Sequence, residues 1–274
     1  MANDPDADRL GIAVKDKKGN WLYPNGNQVG LLLMEYILKF KKNIPSNGAV
    51  ISTVVSTPML DEVAKAHGVK MYRTLTGFKF IGEKIKQFED KVLDGTYVFG
   101  FEESYGYLIG THARDKDAVV TTMILSEMAA YYESIGTDIP SELDKMYEKY
   151  GWYREGIIAV TMSGKDGAEE IKKIMKTLRE NTPKQLLDQD IVMVRDFELQ
   201  IECDKVACKE IKLDLPKSNV LQFILADGTY ITARPSGTEP KIKYYFAVKS
   251  DSKVKADKKL KESMVEFGEF VKGL

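Results

Sequence analysis

Between residues 49 and 132, short apolar runs alternate with stretches whose apolar residues recur at helical spacing. That alternation limits the fold more than any other feature of the chain. Residues 49–55, 69–72 and 97–101 read as strands, the first β-branched and apolar enough to be buried on both faces. Residues 59–67, closed by Gly68, then 79–91 and 118–132 read as helices. Such an alternation implies an α/β layer around a largely parallel sheet. Upstream, residues 10–14 and 21–23 read as strands flanking a turn at 16–20. A helix is expected over 28–41 with Asn27 as its N-cap. After Gly136 the pattern changes. A strand at 155–162, a helix at 167–181, strand-like runs at 191–198, 209–213, 220–225, 229–234 and 241–249, and an amphipathic helix at 253–271 suggest a smaller α+β domain. The composition shift puts the boundary near 137–150.

Bulk properties exclude several function classes. A length of 274 residues suits two domains, and 43% apolar with 30% charged residues is an ordinary globular balance. The net charge of −1 provides no global field for nucleic acid or a membrane surface, so a ligand must be held by local charge. The 2 cysteines, Cys203 and Cys208, match neither a zinc pattern nor a disulfide framework, which fits a reducing cytoplasm. The first residues do not resemble a signal peptide, and the apolar stretch 29–40 carries Glu35 and Lys39 and is too short to span a bilayer.

Five polar loops carry the chemistry. Asp4-Pro5-Asp6-Ala7-Asp8-Arg9 places three carboxylates at alternate positions, and a hard divalent cation with oxygen ligands would offset their repulsion. An EF-hand loop would need glycine where Arg9 stands and glutamate where Lys15 stands. An aspartyl-nucleophile phosphatase loop would follow a hydrophobic strand, and here only Met1-Ala2-Asn3 precede it. A solvated acidic turn is the remaining alternative. Thr76-Gly77-Phe78-Lys79 lies between a strand and a helix, where backbone N–H groups and a lysine can hold an anion; a plain capped helix fits equally well. Gly100-Phe101-Glu102-Glu103-Ser104-Tyr105-Gly106 ends a strand, the place where open α/β sheets bind ligands. Its Glu and Ser side chains suit sugar hydroxyls, although a glycine-bounded turn has the same composition. His112-Ala113-Arg114-Asp115-Lys116-Asp117 precedes the long helix. Asp117 is a candidate N-cap and Lys116 a candidate for proton transfer, against the alternative of a salt-bridged surface turn. Arg234-Pro235-Ser236-Gly237-Thr238-Glu239-Pro240 combines a guanidinium fork, hydroxyl donors and a glycine, with Lys243 following on the next strand. That set suits a phosphate, and a charged hairpin turn is its alternative.

Taken together and in order, these loops resemble those of the α-D-phosphohexomutase superfamily, the phosphoglucomutases and phosphomannomutases. Three of that family's four signatures are present in sequence: the Asp-x-Asp-x-Asp-Arg metal loop, the Glu-x-Ser sugar loop and the Arg-x-Ser-Gly-Thr phosphate loop. The wording Gly-Phe-Glu-Glu-Ser-Tyr-Gly and Thr-Gly-Phe-Lys is most similar to the phosphoglucomutase and phosphopentomutase branch. The resemblance implies the C-terminal part of a four-domain enzyme. Residues 1–19 would be the remnant of a preceding domain carrying the metal loop. Residues 20–145 would be a mixed-sheet α/β sugar-binding domain, and 146–274 an α+β, TBP-like phosphate-binding domain. The rest of the protein would be its partner.

The same resemblance implies residue roles. Asp4, Asp6 and Asp8 would ligate Mg2+, with Arg9 beside the transferring phosphoryl group. Glu102 and Ser104 would grip sugar hydroxyls. Arg234, Ser236, Gly237, Thr238 and Lys243 would hold the phosphate that is not being transferred. Thr76, Gly77 and Lys79 would line the same cleft, and Lys116 would be the general acid or base, with His112 and Arg114 nearby. The implied reaction moves a phosphoryl group between O1 and O6 of a hexose phosphate, glucose favoured, through a phosphoserine and a bisphosphorylated sugar. The chain departs from the family pattern in three places. The Thr-Ala-Ser-His-Asn-Pro type loop is absent, Ala118 stands where glycine is usual, and Lys243 stands where arginine is common. The missing serine loop implies that the isolated chain is inactive and leaves a non-catalytic sugar-phosphate-binding module as the alternative.

Overall fold

The structure is a computed structural model that describes residues 1–162, 164–237 and 239–274, with the backbone alone at 164–165. It divides into two compact units, Met1–Tyr150 and Gly151–Leu274.

The first unit opens with two short hairpins: β1 (Ala2–Asn3) with β2 (Leu10–Gly11), and β3 (Val14–Lys15) with β4 (Trp21–Leu22). The elements α1 (Gly26–Phe40), β5 (Gly48–Thr53), α2 (Met59–Ala66), β6 (Lys70–Thr74), α3 (Phe78–Glu89), β7 (Thr96–Glu102), β8 (Gly106–Ile109), α4 (Ala118–Ser134) and α5 (Ile139–Tyr150) follow. The sheet order is β6-β5-β7-β8. β5 is parallel to both β6 and β7, and the tight turn after Glu102 makes β8 antiparallel to β7. Side chains alternate across a strand. On β5, Ala49 and Ile51 therefore join Phe78, Ile81, Ile85 and Phe88 of α3 on one face of the sheet. The opposite face meets α1, where Gly30 lies so close to the Phe101 ring that a Cβ would fall 2.3 Å from Cε2. Each fully buried Phe, Leu or Ile on these faces contributes about 1.5–3 kcal/mol.

Local chemistry explains where the elements begin and where the sequence reading erred. The N-cap of α1 is Asn25, not Asn27: Asn25 Oδ1 accepts the Gln28 N–H at 3.0 Å, and Gln28 Oε1 accepts the Asn25 N–H at 2.9 Å. Asn27 is buried, and its Oδ1 accepts the Thr57 N–H at 3.0 Å. Asp117 caps α4 as expected, accepting the N–H groups of Val119 and Val120. The stretch read as a boundary is itself helix α5. Asp138 Oδ1 accepts the Ser141 N–H at 2.7 Å, and Ile139, Leu143, Met146 and Tyr147 form its buried stripe. The two compact units divide after Tyr150, at the end of the 137–150 stretch. Contacts made by the first nineteen residues, described below, place them in the first unit.

The second unit contains β9 (Trp152–Thr161), α6 (Gly164–Glu180), β10 (Gln185–Leu186), β11 (Gln189–Asp196), β12 (Ile201–Asp204), β13 (Lys209–Lys212), β14 (Leu221–Leu225), β15 (Tyr230–Pro235), β16 (Lys241–Ser250) and α7 (Lys253–Lys272). Seven strands form an antiparallel order β13-β12-β11-β14-β15-β16-β9, and β10 pairs with β11. The core lies on one face. Ile174, Met175 and Leu178 of α6 and Phe267 of α7 cover Phe223, Ile231, Ile242, Tyr244 and Phe246. The period of two then turns Lys241, Lys243 and Tyr245 to the other face. The sequence reading missed β12, whose Glu202 and Asp204 broke the apolar pattern. Among the described residues, no helix is long and apolar enough to cross a membrane.

The close approach at α1 gives a stability prediction. Gly30→Ala improves intrinsic helix propensity yet drives a methyl into the Phe101 ring, and is expected to destabilise by about 1–3 kcal/mol. Urea unfolding that shows no loss of stability would contradict the packing described.

Candidate functional site

The acidic loop is the tip of the β1–β2 hairpin, whose register pairs Ala2 with Gly11 and Asn3 with Leu10. Asp4 organises it: its Oδ1 accepts the N–H groups of Asp8 (3.2 Å) and Arg9 (3.1 Å), while its carbonyl accepts that of Ala7 (3.0 Å). The Arg9 N–H holds the Asp4 carboxyl below the usual carboxylate range. Three contacts fasten the tip to the rest of the unit. Ala118 N–H donates to Ala7 O at 3.1 Å, Leu10 N–H donates to Tyr105 O at 3.0 Å, and Arg9 bridges Gly106. One carboxylate oxygen each from Asp4, Asp6 and Asp8 lies within 4.8 Å of the others. Asp8 Oδ1 is buried and accepts no hydrogen bond among the described residues, with Arg9 Nε 3.7 Å away. Three hard oxygen donors, one of them unsatisfied, fit Mg2+.

Lys116 supplies the countercharge. Its Nζ lies 3.1 Å from Asp8 Oδ2 and 2.8 Å from Asp115 Oδ1, and the side chain is 11% exposed. It reaches there by crossing Gly106, where a Cβ would stand 2.1 Å from Lys116 Cδ. Burial pulls the ammonium's pKa down, and the Asp115 and Asp8 carboxylates raise it by more, so the net direction is upward. At neutral pH Lys116 therefore carries its proton.

Glu102 ends β7 with 5% exposure, and its Oε1 accepts the Gly77 N–H at 2.7 Å. Burial raises its pKa. The Gly77 hydrogen bond opposes that, the Glu103 charge adds to it, and the Lys116 and Arg9 charges oppose it. Ser104 is half-buried in the following turn. Thr76 Oγ1, next to Gly77, is buried with no hydrogen bond among the described residues.

The remaining sequence candidates of this unit are engaged elsewhere. His112 Nε2 lies 2.8 Å from Asp117 Oδ2 and so supports the cap of α4. Arg114 donates to Glu89 Oε1 at 2.5 Å and to the carbonyls of Thr111 and Ala113. Lys79 is exposed, its Nζ 4.9 Å from the centroid of the Phe80 ring. Sequence reasoning gave no role to Thr53 and Ser56, whose hydroxyls bond Glu103 of the turn after β7, or to Arg73, which holds the carbonyls of Thr53, Ser56 and Thr57. The available signal was the polar run Ser52-Thr53 and Ser56-Thr57 at the carboxyl end of a buried parallel strand.

In the second unit Arg234 on β15 pairs in register with Lys243 on β16. Like charges directly opposite on neighbouring strands are destabilising. Among the described residues neither is in an ion pair, which leaves both cations available to an anion. Ser236 shapes the loop: its N–H donates to Lys241 O at 2.7 Å, and its Oγ accepts the Glu239 N–H at 3.3 Å. A Cβ at Gly237 would meet open space, so the loop is uncrowded there. Thr238 lies outside the described residues.

The first unit thus carries an acidic hairpin tip beside the buried Glu102 turn, and the second unit, taken by itself, carries facing cations on β15 and β16. Residues 25–150 match the phosphoglucomutase/phosphomannomutase α/β/α domain III, and residues 157–262 match the C-terminal domain of the same family. The chain belongs to the phosphoglucomutase/phosphomannomutase family within the α-D-phosphohexomutase superfamily. A phosphoglucomutase of Staphylococcus epidermidis is 35% identical over 251 residues, covering 92% of this chain and 45% of its own length. One from Staphylococcus aureus is 36% identical over 251 residues, covering 91% of this chain and 44% of its own. The chain thus spans under half the length of these relatives. Among solved structures, the open form of parafusin, a phosphoglucomutase from Paramecium, aligns with a TM-score of 0.61 at 20% identity, over 92% of this chain and 40% of that one. A phosphoglucomutase/phosphomannomutase family protein from Burkholderia thailandensis aligns with a TM-score of 0.57 at 18% identity, over 96% of this chain and 45% of that one. These two likenesses concern the fold.

The raised pKa of Glu102 predicts a pH signature. A carboxyl with a higher pKa folded than unfolded contributes stability below its unfolded pKa and loses it as pH rises through the folded value. Glu102→Gln keeps an acceptor for Gly77 and removes the buried charge. It is expected to equal or exceed the wild type in stability at pH 7, with the advantage vanishing on acidification below the ordinary glutamate range. Melting curves in which Glu102→Gln is the less stable protein at pH 7 would contradict the burial argument.

Proposed function

We propose that these residues work within a phosphohexomutase that moves a phosphoryl group between O1 and O6 of a hexose phosphate, glucose favoured, through a phosphoserine and a bisphosphorylated sugar. The observation that carries the reading is the binding of the acidic tip to the Glu102 turn through Arg9, Leu10 and Lys116. Asp4, Asp6 and Asp8 would hold Mg2+, which neutralises charge on a transferring phosphoryl group. Lys116 keeps a proton at Nζ for an oxygen that loses its phosphoryl group. Glu102 and Ser104 accept from and donate to sugar hydroxyls. Arg234 offers its fork, and Lys243 a second cation, to the phosphate that stays in place.

The serine that carries the phosphoryl group belongs, in this reading, to protein outside these 274 residues, since they hold no Thr-Ala-Ser-His-Asn-Pro loop. That observation favours a second reading for the chain by itself, a sugar-phosphate-binding module without turnover. The test is to join the chain to a family portion bearing the serine loop and assay glucose 1-phosphate against glucose 6-phosphate. Interconversion is expected in the joined protein and not in the chain alone. Its absence in the joined protein removes the enzyme reading, and turnover by the chain alone removes the role given to the missing serine.

The phosphate clamp makes a separate prediction. Charge-assisted hydrogen bonds are worth about 1.5–3 kcal/mol, so Arg234→Gln is expected to weaken sugar-phosphate binding about 10–100-fold. Calorimetry at low ionic strength reads this, and an unchanged affinity excludes Arg234 from the clamp.

A further inference from the structure

The two adjacent glutamates of the β7–β8 turn have different partners. Glu102 takes the Gly77 N–H, whereas Glu103 Oε2 accepts the Thr53 hydroxyl at 2.8 Å and, more weakly, the Ser56 hydroxyl at 3.4 Å. Thr53 ends β5, Ser56 lies in the connection to α2, and both are buried. That connection is braced from behind. The Arg73 guanidinium on β6 donates to the carbonyls of Thr53 (3.0 Å), Ser56 (3.2 Å) and Thr57 (3.0 Å) and to Asp61 Oδ2 (2.7 Å). Asn27 holds Thr57 from α1. On the other side, Gly26 of α1 lies so near the turn that a Cβ would come within 2.0 Å of Glu103 O.

The turn needs such support, because Tyr105 sits at a φ of 68°, the left-handed region that a bulky side chain rarely adopts. Strained conformations of this kind persist where the surroundings over-determine them. We propose that Glu103 is a positioning residue: tethered to Thr53 and Ser56, it fixes the turn so that Glu102 and Ser104 are presented to sugar hydroxyls, and it makes no sugar contact of its own. What the turn grips rests on the phosphohexomutase reading; the tether does not.

Hydrogen exchange of the Glu103–Gly106 amides in the 274-residue chain tests the tether. Calorimetric titration with glucose 6-phosphate in Mg2+ tests what the turn grips. The informative variant is Thr53→Val combined with Ser56→Ala, which removes the tether without altering the turn. Hydrogen bonds to a charged group are worth enough that this variant and Glu103→Ala should each speed local exchange about tenfold or more. Combining all three changes should do no more than Glu103→Ala alone, since they remove one interaction. Glu103→Gln, whose Oε1 still accepts from Thr53, should stay within about twofold of the wild type, and glucose 6-phosphate affinity should fall in the same order. A merely structural loss would lower the melting temperature without this local selectivity.

Two results would overturn the proposal. One is turn amides as protected in Glu103→Ala as in the wild type. The other is weakened glucose 6-phosphate binding in Glu103→Ala that Thr53→Val with Ser56→Ala does not reproduce, which would make Glu103 a ligand. If the double variant fails to fold, Ser56→Ala and the contrast between Glu103→Ala and Glu103→Gln decide the question in the same way. A wild-type chain that binds no glucose 6-phosphate removes the functional reading, while the exchange contrast still decides whether the tether exists.

Discussion

The site of the first unit depends on one ammonium group held among carboxylates. Three aspartates at a six-residue hairpin tip repel one another, and the tip has little core of its own to resist that. Lys116 reaches it from the loop before α4, with Asp115 on one side and Asp8 on the other. The contact closes a long loop of chain, so it joins the tip, the β7–β8 turn and the start of α4 into a single body. Crossing Gly106 matters equally, since a larger residue there would displace the lysine stem.

Glu102 shows the opposite balance. A buried carboxyl whose pKa is driven up by desolvation costs stability at neutral pH, and an apolar or amide side chain would cost less. Proteins retain such groups where function needs them and accept a lower stability. Glu102 retains one oxygen for Gly77 and a second for another donor, an arrangement suited to a ligand hydroxyl.

Much of this was legible in the sequence for identifiable reasons. The buried strand β5 and helices α3 and α4 announced themselves by apolar period, and Asp117 by its place before an apolar run. The acidic triplet was visible because alternate carboxylates are unusual, and the Arg234 loop because of its mixture of cation, hydroxyls and glycine. Other features depend on tertiary contact. Asn25 and Asn27 both precede the apolar run, and they are separated by the Asn25–Gln28 capping box and by the burial of Asn27 against Thr57. Helix α5 was hidden by the punctuation around Gly136 and Pro140, and β8 by its brevity. The partners of Arg114 and His112 were not legible, because Glu89 lies on helix α3 and Asp117 was read as an N-cap alone. The division of labour between Glu102 and Glu103 required knowing what lies beneath each of them.

The order of strands in the second unit bears on how it comes to exist at all. Among the described residues its first strand, β9, pairs with β16, its last, along a ladder from Trp152 opposite Ser250 to Thr161 opposite Lys241. A ribosome adding ~5–20 residues per second would leave that first strand waiting on the order of ten seconds, its pairing edge open. Long-range pairing of this kind also slows folding of the finished chain. Termination of synthesis before residue 241 would therefore leave β9 without its partner, a polypeptide with an unsatisfied, aggregation-prone edge.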